Sequence, residues 1–408
     1  MRVLLSTIGS RGDVQPLVAL ALELKALAEE VRLCVPPDFQ QWIEALGLPV
    51  TPIGPELRRL AAAPAPAAPT PLSPERRRQM IEGTVATQFE TIAAAAAGCD
   101  VIVGATALQV AAPSVAEQLG IPWVFVAYCP TVLPSPHHPP IPLGMLGENP
   151  AAASADNDAL WDQDARRWNE SWGPPLNARR SALGLPAVDD VRSYIFTANP
   201  WLAADLTLAP WPDRDAELFQ PGAWLFADDR PLSAEIESFL DAGEPPVYFG
   251  FGSMRATPDL GRVMIESARA LGRRAIVARG WAELAAIDDE QDCLTVGEVN
   301  QQALFRRVAA VVHHGGAGTT TAAARAGAPQ VVVPQMYDQP YWAARVDTLG
   351  IGVAHPRGAP TTGSLTQALA RALHPEVGAR AQSVAARVAG DGARAAAGRL
   401  AAGDWPGR

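Results

Sequence analysis

The stretch VLLSTIGSRGDVQPLVALALELKAL, residues Val3–Leu27, decides the fold class. Val3–Ser6 is a short apolar run of strand type, and Gly9-Ser10-Arg11-Gly12-Asp13 reads as a loop. Pro16–Leu27 then repeats Leu17, Leu20, Ala21, Leu24 and Leu27 at helical spacing. The same unit recurs outward from there. Val31–Val35 and Val50–Ile53 are strands flanking a short helix, Phe39–Leu46. Ser73 and Pro74 are a cap and first-turn proline for a helix running to Ala97. Val101–Val103 and Trp123–Ala127 are buried strands around a helix near Val110–Leu119. Later strands are Pro246–Phe251, Ala275–Ala278, Leu294–Val296, Ala310–His313, Gln330–Val333 and Gly352–Ala354. Helices are expected over Leu260–Leu271 and from near Gln301, Thr319, Tyr341 and Ser364. Strand and helix in such alternation predict parallel sheets covered on both faces.

The 408 residues suggest two or three units at ~150 residues per domain. The alternation breaks only in the middle, so the expected division is residues 1–209, a connector 210–232, residues 233–374 and closing helices 375–408. The connector carries Pro210, Pro212, Pro221 and Pro231. Ala61–Pro71 reads as a mobile proline-alanine loop, and Trp161, Trp168 and Trp172 as packing anchors in a polar segment. Ligands of open parallel sheets sit beyond the strand C-termini, which places the expected site in a cleft between two halves.

Composition removes several classes. With 43 acidic against 33 basic residues, the formal charge of −10 disfavours nucleic acid, whose binding relies on concentrated basic surface. Only one of the basic residues is lysine, Lys25, and it falls on the wet side of the first helix. P-loop, protein-kinase and pyridoxal-phosphate chemistries each need a lysine elsewhere. Cys34, Cys99, Cys129 and Cys293 have no CxxC spacing, in keeping with a reduced, cytoplasmic chain. No apolar run reaches the ~18 residues of a membrane span. The acid pairs Asp213/Asp215 and Asp156/Asp158 lie away from strand ends, so no metal is expected, and His137-His138 lie in a proline loop.

Four motifs can carry chemistry. His313-His314-Gly315-Gly316-Ala317-Gly318-Thr319-Thr320 follows an apolar strand and opens an alanine-rich helix. Glycine permits close backbone approach, and a helix start offers free N–H groups to an anion, so a phosphate or diphosphate fits. Neither this motif nor Gly250-Phe251-Gly252 has the third glycine of a dinucleotide fingerprint. Ser253, after the second motif, reads equally as a phosphate donor or a helix cap. Asp338-Gln339, after the strand Val331–Val333, form an acid–amide pair suited to hydroxyl-rich ligands; the alternative is a cap for the helix after Pro340. Asp13 is a candidate proton acceptor, because no histidine precedes residue 137. Its alternative is to cap the helix beginning at Val14.

At these residues the chain resembles the bacterial glycosyltransferases of natural products, the vancomycin-group glycopeptide enzymes of glycosyltransferase family 1. The resemblance runs through Met1–Pro16, Pro245–Ser253, Gly297–Phe305, His313–Thr320 and Asp338–Tyr341. It implies the GT-B fold: two Rossmann-like doubly wound domains facing across a cleft, acceptor side first and donor side second. The activity it implies is inverting transfer of a hexose-type sugar from a UDP-sugar such as UDP-glucose, or from a dTDP-deoxysugar, to a hydroxyl of a glycopeptide- or polyketide-type aglycone. No cofactor beyond the sugar nucleotide is implied; a monomer or weak dimer is the expectation, which the sequence does not decide between. Carried over, His313, Gly315, Gly316, Ala317, Gly318 and Thr319 hold the diphosphate, with Ser253 and Arg11 assisting. Val299 reads the nucleobase, Asp338 and Gln339 contact the donor sugar, and Asp13 is the general base beside Ser10. The opening loop and the Asp-Gln-Pro segment also resemble sterol and lipid glucosyltransferases, and a nucleotide-sugar epimerase shares the bilobal architecture.

Overall fold

The computed structural model describes residues 1–62, 73–142, 156–213, 218–254, 259–288 and 290–405. Most of the expected mobile loop Ala61–Pro71, and Arg214-Asp215 of the connector, lie outside these residues.

Two six-stranded sheets form. The first contains β1 (Arg2–Thr7), β2 (Glu30–Val35), β3 (Val50–Pro52), β4 (Val101–Ala105), β5 (Trp123–Ala127) and β6 (Trp201–Leu202), in the order β3-β2-β1-β4-β5-β6. The second contains β7 (Val247–Gly250), β8 (Ala275–Ala278), β9 (Cys293–Val296), β10 (Ala310–His313), β11 (Gln330–Val332) and β12 (Gly352–Ala354), in the order β12-β11-β10-β7-β8-β9. Every pairing is parallel. Each sheet is wound outward from its first strand in both directions, so strand order reverses between β1 and β4 and between β7 and β10. Crevices at those reversals are where this architecture binds ligands. Strand residues are apolar on both faces, Val3–Leu5 and Val101–Val103 being wholly buried, as helices on both sides require.

Several elements depart from the sequence reading. The first helix spans Arg11–Ala26 and begins five residues before Pro16. Ser10 is its N-cap and Asp13 its third residue, so the expected loop is largely the helix's first turn. Pro16 sits inside at the cost of one N–H. The polar tryptophan segment is a 26-residue helix, Asn157–Ala182, with Pro174 and Pro175 inside it. Trp161, Trp168 and Trp172 are buried along it. A helix capped by Ser233, Ala234–Asp241, has no counterpart in the sequence reading.

The halves are joined by more than the connector. One apolar cluster runs from Leu4, Ile102 and Phe125 of the first sheet to Trp342, Val346, Ala381 and Val384 of the later chain. The buried Asp205 carboxylate accepts from the N–H groups of Thr207, Leu208 and Ala389. Arg345 donates to the Leu208 and Thr207 carbonyls. The closing helix Gly392–Ala401 packs on the first helix, placing Ala396, Ala397 and Leu400 in one cluster with Leu17, Leu20 and Leu24. Among the described residues no helix is long and apolar enough to cross a membrane.

Candidate active site

The site is assembled at the two strand-order reversals. At the end of β1, the Asp13 carboxylate turns back along its own helix start. Its Oδ2 accepts from the Ser10 N–H at 2.7 Å and the Ser10 hydroxyl at 3.3 Å. This reciprocal cap explains Gly9, because a Cβ there would lie 2.2 Å from the same oxygen. The Tyr128 hydroxyl, just beyond β5, donates to the Asp13 carbonyl at 3.0 Å. The second carboxylate oxygen, Oδ1, receives no donor from another described residue. Asp13 therefore caps from inside the helix, as its third residue, rather than standing before a helix that begins at Val14.

Burial pushes the Asp13 carboxyl up to about 6, and the charge of Asp338 adds to the rise against the lowering hydrogen bonds from Ser10. The carboxylate of the second half is thus close enough for its charge to act on that of the first. Asp338 is itself pushed up to about 6 by burial, opposed by a hydrogen bond from Trp342. Nearby, burial drives the Cys129 thiol well above its ordinary value, with Asp338 contributing.

At the second reversal, Gly250 of β7 pairs with His313 of β10, and both strands end in glycine turns. Gly316 is the N-cap of the helix Ala317–Ala326, whose first N–H groups lack intrahelical partners. Gly315 has φ 96°, and a Cβ there would meet Val332 Cγ1 at 2.8 Å. The two histidines take different roles. His313 is fully buried; its Nδ1 accepts from the Gly315 N–H at 3.1 Å, which leaves Nε2 to donate to Gln330 Oε1 at 2.9 Å. Burial holds its pKa down at about 3. Its side chain shapes the turn and offers no nitrogen to a ligand, which corrects the expectation that it grips the diphosphate. His314 instead lies between the two glycine turns. A Cβ on Gly316 would fall 2.7 Å from its Nε2, and one on Gly252 would fall 3.3 Å from its Cε1. Its Nδ1 is buried without a well-formed hydrogen bond, and burial lowers its pKa to about 4, so the ring is neutral.

Gln339 is corrected in the same way. Its Oε1 accepts from the N–H groups of Gln335 at 2.8 Å and Met336 at 3.1 Å, and its amide meets Met254 Sδ at 3.4 Å. The side chain, 4% exposed, orders its own loop. Asp338 stands at the N-cap of the helix Gln339–Thr348, yet its side chain makes no capping bond. Ser253 follows the first of the two turns, and Gly318 and Thr319 stand in the first turn of the helix after the second. Val299 is half-buried, and the following Asn300 fixes its turn by donating to the carbonyls of Asp228 at 2.6 Å and Arg230 at 2.8 Å. Arg11 stacks 3.6 Å over the Trp42 ring and lies 3.6 Å from Glu298, beside Val299.

With this geometry the comparisons with known proteins are unambiguous. Residues 3–134 match the model of the glycosyltransferase family 28 N-terminal domain, and residues 274–397 match the C-terminal domain of erythromycin biosynthesis protein CIII-like proteins. The protein named glycosyltransferase GtfE of Amycolatopsis orientalis is 52% identical over 97% of this chain and 96% of its own. The vancomycin aglycone glucosyltransferase of the same organism is 50% identical over the same shares. The chain belongs to the vancomycin-group glycosyltransferases. As a glycosyltransferase of this group it has the GT-B fold. The glycotransferase of kitacinnamycin superposes with a TM-score of 0.69 at 19% identity, covering 99% of both chains. VinC, solved with dTDP, gives 0.66 at 21% identity over 98% of this chain and 99% of its own.

To His314, Tyr128 and Asn300, which make these contacts, the sequence reading gave no separate role. The adjacent histidines carried a usable signal: neighbours at a strand end point to opposite faces, so only one can reach the crevice.

Proposed function

We propose that this glycosyltransferase moves a sugar from a nucleoside diphosphate sugar to a hydroxyl of a glycopeptide-type aglycone, with inversion at the anomeric carbon. The observation that carries this reading is the pair of strand-order reversals, one setting the Asp13 carboxylate at the end of β1 and the other an open helix start after β10, with the Asp338 charge close enough to act on Asp13. Residues 1–209 hold the acceptor, residues 233–374 the donor, and residues 375–408 return to the first half. The free N–H groups of Ala317, Gly318 and Thr319, aided by Ser253 and neutral His314, bind the diphosphate. The Val299 backbone meets the nucleobase, and Asp338 a sugar hydroxyl. Ionised Asp13 accepts the acceptor proton through Oδ1 while the acceptor oxygen attacks the anomeric carbon. The bond to the diphosphate breaks as the new glycosidic bond forms, and the helix start stabilises the departing charge. Arg11 reaches the diphosphate only by leaving Glu298. The enzyme works in the cytoplasm, as a monomer or weak dimer, with no metal and no cofactor beyond the sugar nucleotide.

Glycopeptide acceptors are favoured because half the residues are shared with a vancomycin aglycone glucosyltransferase across nearly both chains. The test is a mass-spectrometric screen of UDP-glucose, dTDP-glucose and dTDP-deoxysugars against glycopeptide, polyketide, phenolic and sterol acceptors. The expected product is one added sugar on a glycopeptide aglycone. Transfer confined to sterols, or an isomerised donor formed without acceptor, would overturn the assignment.

A further inference from the structure

Asp338 heads the helix Gln339–Thr348, yet it does not do what an aspartate at a helix start ordinarily does. The reason lies in the next residues. Pro340, at the second helical position, has no N–H, and the Tyr341 N–H is taken by the Asp338 backbone carbonyl at 3.0 Å. With no N–H of the first helical turn to cap, the carboxylate is held by the indole of Trp342, whose Nε1 donates to Oδ2 at 2.8 Å. Trp342 is one turn further along the helix and only 1% exposed, locked in the apolar cluster shared by the two halves. Asp338 Oδ1 receives no donor from another described residue. One oxygen is therefore fixed by a rigid side chain and the other keeps its capacity to accept.

We propose that Trp342 is a positioning residue for donor-sugar recognition: its indole N–H fixes Asp338 Oδ2 so that Oδ1 accepts a hydrogen bond from a hydroxyl of the bound sugar. This rests on the reading of Asp338 as the sugar contact. A buried indole N–H also needs an acceptor for its own sake, so the test must separate positioning from packing. Trp342→Phe keeps an apolar ring and removes the donor with part of the volume, which the bare-nucleotide affinity controls for; Asp338→Asn keeps an acceptor for the indole. Calorimetry gives the affinities of dTDP-glucose and UDP-glucose and of bare dTDP and UDP. The ratio of each sugar nucleotide to its nucleotide isolates what the sugar adds.

Trp342→Phe is expected to weaken that sugar increment by about tenfold, the scale of a lost charged hydrogen bond, while bare nucleotide binding stays within twofold. In the Asp338→Asn background the same change should add nothing further, because the two residues act through one contact. The increment should also fade with acidification, and its midpoint should move to higher pH in Trp342→Phe, since a hydrogen bond to the charged form is lost. An unchanged increment and midpoint in Trp342→Phe, beside a clear loss in Asp338→Asn, would overturn the proposal alone. An unchanged increment in Asp338→Asn would remove the sugar-contact reading and the proposal with it. Equal weakening of nucleotide and sugar nucleotide would reduce Trp342 to a packing residue.

Discussion

Replacing Asp13 by asparagine separates the two tasks of its carboxylate. The amide oxygen can still accept from the Ser10 N–H, so the helix start survives, but the group no longer takes a proton. Turnover should fall ~10²–10⁴-fold, with sugar-nucleotide affinity within twofold and the melting temperature little changed. Near-normal turnover would remove Asp13 from the mechanism. The pH profile follows from the carboxyl standing at about 6. As base it must be ionised, so kcat/KM should fall as pH drops through 6 and level off above 7. Stability runs the other way. Asp13 and Asp338 both stand above their ordinary value of 3.8, so the folded state binds their protons more tightly than the unfolded chain. The stability this contributes is fully present below about pH 4 and is lost as pH rises through 6. Asp338→Asn should therefore melt at or above the wild-type temperature at pH 7.5, with the difference gone at pH 4; a lower melting temperature only at pH 7.5 would contradict it.

The glycine turn after β10 shows what an element adds to its residues. His313 and His314 are adjacent and chemically identical, yet the strand end sends one into the sheet layer and the other between the two glycine turns. His313→Ala strands the Gln330 amide and the Gly315 N–H inside the protein, which should cost about 1–3 kcal/mol in urea unfolding. His314→Ala removes a ring whose Nδ1 has no well-formed bond, so stability should hold while dTDP or UDP affinity falls. The opposite pattern would return the ligand role to His313. Gly315→Ala forces a side chain into φ 96° against Val332 and should destabilise by about 1–3 kcal/mol. That a glycine turn joins strand to helix here was legible, because strand, glycine run and alanine helix are consecutive. Which histidine faces the crevice was not, because Gln330, the partner that captures His313, comes from the next strand. Gln339 escaped reading likewise: its partners are N–H groups of its own loop, known only once that loop has closed. The start of the first helix was written in Ser10 and Asp13 as a reciprocal cap, but the glycines around them read as loop.

At the scale of the whole molecule, Asp13 and the glycine turn after β10 belong to different halves, so their separation depends on contacts that no single motif records. The parallel pairing within each sheet was implicit in the alternation of elements; its strand order was not. The ties between the sheets were not, since Asp205 meets Ala389 across 184 residues and the first helix meets the last. Polar contacts at the mouth, Arg58 with Glu283 at 2.9 Å and Arg11 with Glu298 at 3.6 Å, are exposed on the acidic side and weak in water. The Phe39–Trp281 and Trp42–Phe226 ring pairs join residues far apart in the chain, each early ring meeting one beyond residue 220. The stronger clasp is the closing helix Gly392–Ala401, which covers the helix carrying Asp13. Gly392 passes so close to Gly222 that a Cβ would lie 2.4 Å from its carbonyl oxygen, fixing where the chain returns. Leu400, wholly buried in that contact, supplies the test. Leu400→Ala should cost about 3 kcal/mol in urea unfolding, as large-to-small core changes do. Because the clusters around the second sheet contain no residue of this helix, dTDP and UDP affinities of the folded variant should be unchanged. Transfer should fall more than binding, since the loosened helix is the one that aims the base. A matching loss of nucleotide affinity would mean instead that the closing helix supports the donor half directly.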